Sequence, residues 1–340
     1  MATSTSEHFL SFDFRFATNG SITVNVQPRG RRPNTYCIRY VLSQTLIATD
    51  GDSCIIIGIG DRTRWSHITR DLATDFQKGL NILYADRKDS KPRLVLHKVL
   101  SVVFRGHGWV DNVTLASNAH LAQFYYAANW LVLHQDARGG WPIMVTRKLS
   151  KDIPELPPGW YSAMAQGQAI SLLVRAYLRT QNGKYLTAAV NAVKVYSIPS
   201  SNGGVRAKFA DKYVWYEEYP TTPSSFVLNG FIYSLLGLYD LKTIAPTDQA
   251  REAAALYDAG MTSLRTLLPL YDTGSGSAYD LRHVGLGSAP NLARWDYHAT
   301  HINQLLLLAT IADDSDAMKF YERTAQRWIS YMKGERAPHN

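Results

Sequence analysis

The chain has no uninterrupted apolar run long enough to cross a bilayer, which excludes a transmembrane helix within these 340 residues. Residues Met1 to Glu7 offer neither the basic nor the hydrophobic part of a signal peptide, so the sequence as written is expected to carry no address of its own. Cysteine is scarce. The two present, Cys37 and Cys54, rule out a Cys-only tetrahedral metal site. Both sit in strand-like apolar runs and read as buried free thiols, with a disulfide left open because spacing alone does not decide it. There is no HExxH pair. Gly274-Ser275-Gly276 does not make the strand-then-elbow turn of a serine hydrolase. Concentrated basic charge is also missing. Lys and Arg total 36 against 28 Asp and Glu, a formal +8, yet the only short run is Arg29, Arg31 and Arg32. No RNA-binding or helix-turn-helix signature accompanies it, so nucleic acid is not an expected partner. An acidic polysaccharide or membrane surface remains compatible with the excess charge. No repeat of fixed period is visible, which disfavours an open solenoid.

What is present divides in two. Phe12, Phe14 and Phe16 alternate with polar residues, as do Ile22, Val24 and Val26, which predicts strands on both sides of Asn19-Gly20. Asn-Gly between two such runs predicts a hairpin. Further strands are expected over 36–42, 44–49, 54–59 and 93–105, and a polar loop over 86–92. Short strands with Gly, Asp and Pro turns indicate an antiparallel sandwich. From about Asn118 the apolar period becomes helical, predicting helices over 120–135, 162–180, 183–197, 223–243, 247–268, 299–312 and 315–333. The expected organisation is a multidomain α and β protein: an N-terminal antiparallel β-sandwich over 1–117, then helical hairpins over 118–340 that can close into an α/α-toroid. Asn19 and Asn112 fit the glycosylation acceptor pattern, a weak sign of a secretory location.

Three loop-like stretches in the second half each set a tyrosine beside charge: Trp215 to Pro220, Gly274 to His283, and Asn291 to His298. Glu218 lies among aromatic residues, an environment that raises a carboxyl toward neutral pH and makes it a usable base. Ser224 or Ser225 is expected to cap the helix that follows. Tyr279 and Arg282 are three positions apart and share a face if a helical turn starts there. A phenol close to a guanidinium is expected to give up its proton more readily. Tyr297 lies between Asp296 and His298, with Arg294 and His301 nearby, but no third metal ligand accompanies the histidines. The turns Gly139-Gly140-Trp141-Pro142 and Pro158-Gly159-Trp160-Tyr161 present tryptophan faces of the kind that pack on sugar rings or in cores. Arg147 and Lys148 follow the first turn and suit an acidic ligand. Gln166 and Gln168 read as helix surface.

The segments Gly140 to Arg147, Gly159 to Ala169, Trp215 to Gly230, Tyr271 to His283 and Ala289 to His301 resemble the D-glucuronyl C5-epimerase family of heparan sulfate and heparin biosynthesis. The similarity runs from about Gly139 to Asn340 and more loosely through Phe12 to Gly108, including Gly58-Ile59-Gly60 and Trp65-Ser66. The resemblance implies the two-part architecture above, a homodimer, the Golgi lumen, and N-sulfated heparosan, the heparan sulfate precursor polysaccharide, as substrate. It implies conversion of D-glucuronate to L-iduronate with no organic cofactor. Active-site positions carry over onto Glu218, Tyr219, Tyr279, Arg282 and Tyr297. Substrate contacts carry over onto Asn229, Asn291, Arg294, Trp295 and His298, with Arg147 and Lys148 beside them. A structural calcium is implied, with Asp111 as the ligand that can be placed. Nothing before Phe9 corresponds to the family's N-terminal region, so the chain is expected to be shortened at that side.

Overall fold

A computed structural model describes residues 2–29, 35–44, 46–51, 53–60, 64–85 and 94–337. The expected loop over 86–92 and the arginines at 31 and 32 lie outside them. The chain divides into two compact units, Met1–Gln123 and Phe124–Asn340.

The first unit is built from β1 (Ala2–Thr5), β2 (Phe9–Phe16), β3 (Ser21–Arg29), β4 (Tyr36–Val41), β5 (Ala48–Asp50), β6 (Cys54–Gly58), β7 (Ser66–Asp71), α1 (Leu72–Leu83), β8 (Val95–Arg105) and β9 (Gly108–Ala116). Six strands form one sheet in the order β1-β8-β3-β4-β6-β5, and three form a second in the order β7-β2-β9. The alternation predicted for β2 and β3 holds: Phe12, Phe14, Ile22, Val24 and Val26 are all inaccessible to solvent. The hairpin at Asn19-Gly20 does not form. β2 and β3 belong to different sheets, so the chain crosses the sandwich there. Each strand has one apolar face, and the two faces meet across the core of the sandwich. In β8 the buried residues Leu96, Val99 and Val102 fall every third position. Two register shifts against β3 each add a residue and reset the alternation.

The sheet is mixed rather than purely antiparallel, because β4 and β6 run parallel. Their register sets Cys37 opposite Cys54 with Cα atoms 4.5 Å apart, and the two form a disulfide. This corrects the free-thiol reading, since parallel pairing was not visible in the spacing. Helix α1 was also not foreseen. Asp71 caps it by accepting from the Ala73 and Thr74 amides, and Leu72, Phe76 and Leu80 bury one face against the sandwich.

The second unit holds α2 (His120–His134), which begins just before it, then α3 (Ala163–Thr180), α4 (Gly183–Ala192), α5 (Lys194–Ser197), the hairpin of β10 (Arg206–Phe209) and β11 (Tyr213–Tyr216), α6 (Leu228–Ile244), α7 (Thr247–Leu267), α8 (Arg282–Leu286), α9 (Trp295–Thr310) and α10 (Ser315–Met332). Helices pack in neighbouring pairs, α3 on α4, α6 on α7 and α9 on α10, with α6 also packed on α3 and α9. The backbones of α3 and α6 touch at Gly167 and Gly237. A Cβ at Gly237 would lie 2.2 Å from the Gly167 carbonyl oxygen, so only glycine fits. Gln166 is buried rather than surface: its amide accepts from the Trp141 N–H and donates to the Trp141 carbonyl. Gln168 is exposed, as read.

Three helix boundaries move in ways that matter for the site. The expected helix over 183–197 breaks at Val193. α6 starts at Leu228 instead of 223, with no side-chain cap at Val227. Phe226 takes positive φ, and Ser225 turns inward to Glu217, so neither serine caps the helix. α9 starts at Trp295, so Tyr297 and His298 sit on its first turn and not in a loop.

Candidate active site

Glu218 is the second residue past the end of β11, and its side chain lies against the start of α6. A Cβ at Gly230 would come within 2.4 Å of the Glu218 Oε2, so glycine there makes room for the carboxylate. The first turn of a helix presents unpaired amides and the positive end of its dipole, which favours a carboxylate close by. Glu218 is only 4 % exposed, and its buried Oε2 has no hydrogen-bond partner. Burial raises its carboxyl above the ordinary range, opposed by interactions with Tyr219 and Arg147.

Backbone hydrogen bonds then draw distant loops to this point. The Leu228 amide donates to the Tyr279 carbonyl, the Tyr279 amide to Asn291, and the Leu281 amide to Ser225. Ala278 bridges Leu292, and the Ala293 amide donates to Ser277. The consequence is a cluster of phenols. Tyr219 interacts with both Glu218 and Tyr279. Tyr279 meets Tyr297 edge to face at 4.8 Å between ring centroids. An arm over 141–161, pinned by antiparallel bridges Ile143 to Trp160 and Arg147 to Leu156, brings two more groups to Tyr219. The Arg147 guanidinium lies 5.3 Å from its ring centroid and the Trp160 ring 5.8 Å. Arg294 lies 5.8 Å from the Tyr297 ring.

The phenols do not lose protons as the sequence suggested. Burial, followed by the charge of Glu218, pushes Tyr219 up to about 12 against a smaller opposing effect of Arg147. Tyr279 is raised further, by burial and then by Glu218. Both are therefore protonated donors at neutral pH, because desolvation of a phenolate outweighs one partly exposed guanidinium.

A second set lies behind the first. Asp280 is buried, and its carboxylate accepts from the Asn291 amide at 2.7 Å and the Arg282 backbone N–H at 3.2 Å, with the Arg282 Nε at 3.3 Å. Arg282 is thus ion-paired within the fold. Glu217 is fully buried, accepts from the Ser225 hydroxyl at 3.0 Å and the Phe226 N–H at 3.2 Å, and is raised by burial to about 8. Neither Asp280 nor Glu217 was singled out in the sequence, since only a donor count distinguishes them from other acids.

Several expected contacts take other roles. His298 is buried, with Nδ1 bonded to the Ser277 hydroxyl at 2.8 Å and Nε2 to the Trp328 carbonyl at 3.0 Å. Both ring nitrogens are engaged inside the unit, so the substrate-contact reading of His298 is corrected to a packing one. His301 shares Ser277 at 2.9 Å, is fully buried, and is lowered to about 3 by desolvation. Trp295 is 76 % exposed, and Lys148 is exposed on the arm beside Arg147. Asn229 is buried; its carbonyl accepts from Gln304 and its side-chain oxygen has no partner. Trp141 is core, with its indole N–H on the Leu131 carbonyl.

Asp111 lies in the β unit opposite Asp13, where its carboxylate accepts from the Asn112 N–H and the Asn112 side-chain amide donates to Asp13. Among the described residues no group of three or more His, Cys, Asp or Glu gathers there or elsewhere to hold a metal. These residues do not fit a calcium cage.

Residues 135–330 match the family described as D-glucuronyl C5-epimerase C-terminus, and residues 1–107 match the D-glucuronyl C5-epimerase β-sandwich domain. The chain belongs to the D-glucuronyl C5-epimerase family. A D-glucuronyl C5-epimerase of Caenorhabditis elegans is 48 % identical over 298 residues, which is 84 % of this chain and 47 % of that relative. The chain thus spans about half the length of the curated relative. An uncharacterized protein of Methanocaldococcus jannaschii is 33 % identical over 171 residues, 49 % of this chain and 52 % of that protein. Membership accounts for the fold order, β-sandwich then helices, and places the phenol cluster inside the matched C-terminal region. No described helix is long and apolar enough to cross a membrane.

Proposed function

We propose that this epimerase-family chain inverts C5 of D-glucuronate residues within N-sulfated heparosan, giving L-iduronate by proton transfer on both faces of the ring. The observation that carries the reading is a buried carboxylate, Glu218, with one unpartnered oxygen, beside Tyr219 and Tyr279, with Tyr297 packed on Tyr279. The C5 hydrogen lies α to a carboxylate that already bears a negative charge, so the intermediate needs neutralising donors. Tyr219 and Tyr279, both protonated at neutral pH, serve as those donors, and Arg282 supplies positive charge. Each preorganised donor is worth about 3–4 kcal/mol by analogy with oxyanion-hole deletions. Arg147, exposed beside Tyr219, contacts the acidic polymer.

In the forward direction Glu218 accepts the C5 proton and the Tyr297 hydroxyl donates one to the opposite face. The enzyme is left with a protonated Glu218 and a Tyr297 phenolate, and proton exchange with water restores both. In the reverse direction the two roles exchange. Proton transfer of this kind contributes about 10²–10⁴-fold per group. The setting that goes with this reading is a homodimer in the Golgi lumen.

Substitution Tyr297→Phe removes the opposite-face proton without removing the ring. In heavy water it should abolish iduronate formation, read by NMR of the polymer, because label can then enter C5 only through Glu218 on the original face. Iduronate formed at the wild-type rate would refute the role of Tyr297. Appearance of an unsaturated uronate in the wild-type reaction would instead identify a lyase, which takes the same proton but expels the C4 oxygen.

A further inference from the structure

Asp280 ties together Arg282 and Asn291, and it has no role in the proton transfers above. It is 1 % exposed and carries no path to solvent of its own. Its Oδ2 accepts the Asn291 amide at 2.7 Å, and its Oδ1 is 3.2 Å from the Arg282 backbone N–H and 3.3 Å from the Arg282 Nε. Burial raises its carboxyl, and Asn291 and Arg282 oppose that shift. The next residue back is Tyr279, whose amide donates to the carbonyl of the same Asn291. One buried carboxylate and one backbone bond therefore fix Arg282, Asn291 and Tyr279 relative to each other.

We propose that Asp280 is a positioning residue: held by the Asn291 amide, it orients the Arg282 guanidinium so that it meets the uronate carboxylate in the site of the reaction above. The physical argument is complementarity. Arg282 has five N–H donors in a fixed fork, and anchoring Nε aims the remaining ones. A long side chain left unanchored loses that aim to rotamer freedom. Asn291 has one amide and two ways to turn it; the carboxylate at Asp280 accepts only, so the NH₂ faces Asp280 and the Asn291 carbonyl oxygen is turned away from it. The inference rests on the epimerase reading only in naming the ligand as a uronate.

The test is a pair of substitutions at Asp280. Asp280→Asn keeps the size of the side chain and, if the Asn291 amide turns over, both links, so it removes only the negative charge beside Arg282. Asp280→Ala removes the links as well. Each chain is assayed for binding of a heparosan oligosaccharide and for C5 deuterium exchange. Asp280→Ala is expected to weaken binding and exchange about 10- to 100-fold, the range for a lost hydrogen bond to a charged group. KM should rise with kcat falling less, and Asp280→Asn should keep at least half of what Asp280→Ala loses on a logarithmic scale. Unchanged binding and exchange in folded Asp280→Ala, or Asp280→Asn no better than Asp280→Ala, would overturn the proposal. If the wild-type chain binds but does not exchange, the epimerase reading fails and Asp280 is judged on binding alone. If wild type neither binds nor exchanges, both readings fall.

Discussion

Asp75 in the β unit and Glu218 in the helical unit are both buried carboxylates beside a tyrosine and an arginine. In each, the guanidinium lies 5.3 Å from the tyrosine ring centroid, Arg70 over Tyr40 and Arg147 over Tyr219. The difference is in the donors. Asp75 accepts from the Tyr40 hydroxyl at 2.7 Å and from the Arg70 Nε and Nη2 at 2.8 and 2.6 Å, a forked ion pair. Glu218 leaves Oε2 with no donor, and among the described residues it makes no ion pair with Arg147. Residue type and burial are shared; donor accounting separates a structural carboxylate from one held ready to accept a proton. Glu217 stands between the two, fully buried and bonded to neutral donors, the Ser225 hydroxyl and the Phe226 amide among them.

Substitutions at these three acids sharpen the contrast. The largest effect is expected at Glu217. Its folded pKa of about 8 lies above the ordinary 4.5, so the native state binds the extra proton. The contribution of Glu217 to stability is then fully present below about 4.5 and is lost as pH rises through about 8, by roughly 5 kcal/mol in all. Glu217→Gln should abolish that decline in denaturant titrations followed by tryptophan fluorescence. A pH-independent difference between the variant and wild type would show that Glu217 does not titrate in this range.

Next in size is Glu218→Gln, which keeps the shape and removes the base. Exchange at C5 should fall about 10²–10⁴-fold. Thermal stability should hold or rise, because the variant no longer buries a carboxylate with an unpartnered oxygen. A large loss of stability would place Glu218 with Asp75. The smallest of the three is Asp75→Ala, which leaves Tyr40 and a partly exposed Arg70 without their acceptor. It should cost about 2–3 kcal/mol in urea unfolding, below the range for fully buried pairs because Arg70 reaches solvent. If Asp75→Ala left stability unchanged, the donor count would not be a guide to which carboxylate is structural.

The same contrast explains what the sequence made legible. Periodicity located β2, β3 and the long helices, because each buries a continuous face of its own. It did not locate the sheet crossing at Asn19-Gly20, since a sandwich and a hairpin bury the same alternating residues. It missed α1, although Leu72, Phe76 and Leu80 recur at helical spacing after the Asp71 cap. The resemblance pointed to Glu218, Tyr219, Tyr279 and Tyr297, but their convergence comes from backbone bonds between separate loops, such as Leu228 to Tyr279 and Tyr279 to Asn291, and no local pattern encodes those. Asp280 and the inward turn of His298 were illegible for the same reason: their partners, Asn291, Ser277 and Trp328, are set by tertiary packing.

The most direct measurement is NMR of N-sulfated heparosan after incubation with this chain in heavy water. Deuterium at C5 and new iduronate signals, with chain length unchanged and both lost in Glu218→Gln, are the predicted result. Exchange that persists undiminished in folded Glu218→Gln would contradict the account, because the carboxylate would then be as idle in the chemistry as Asp75.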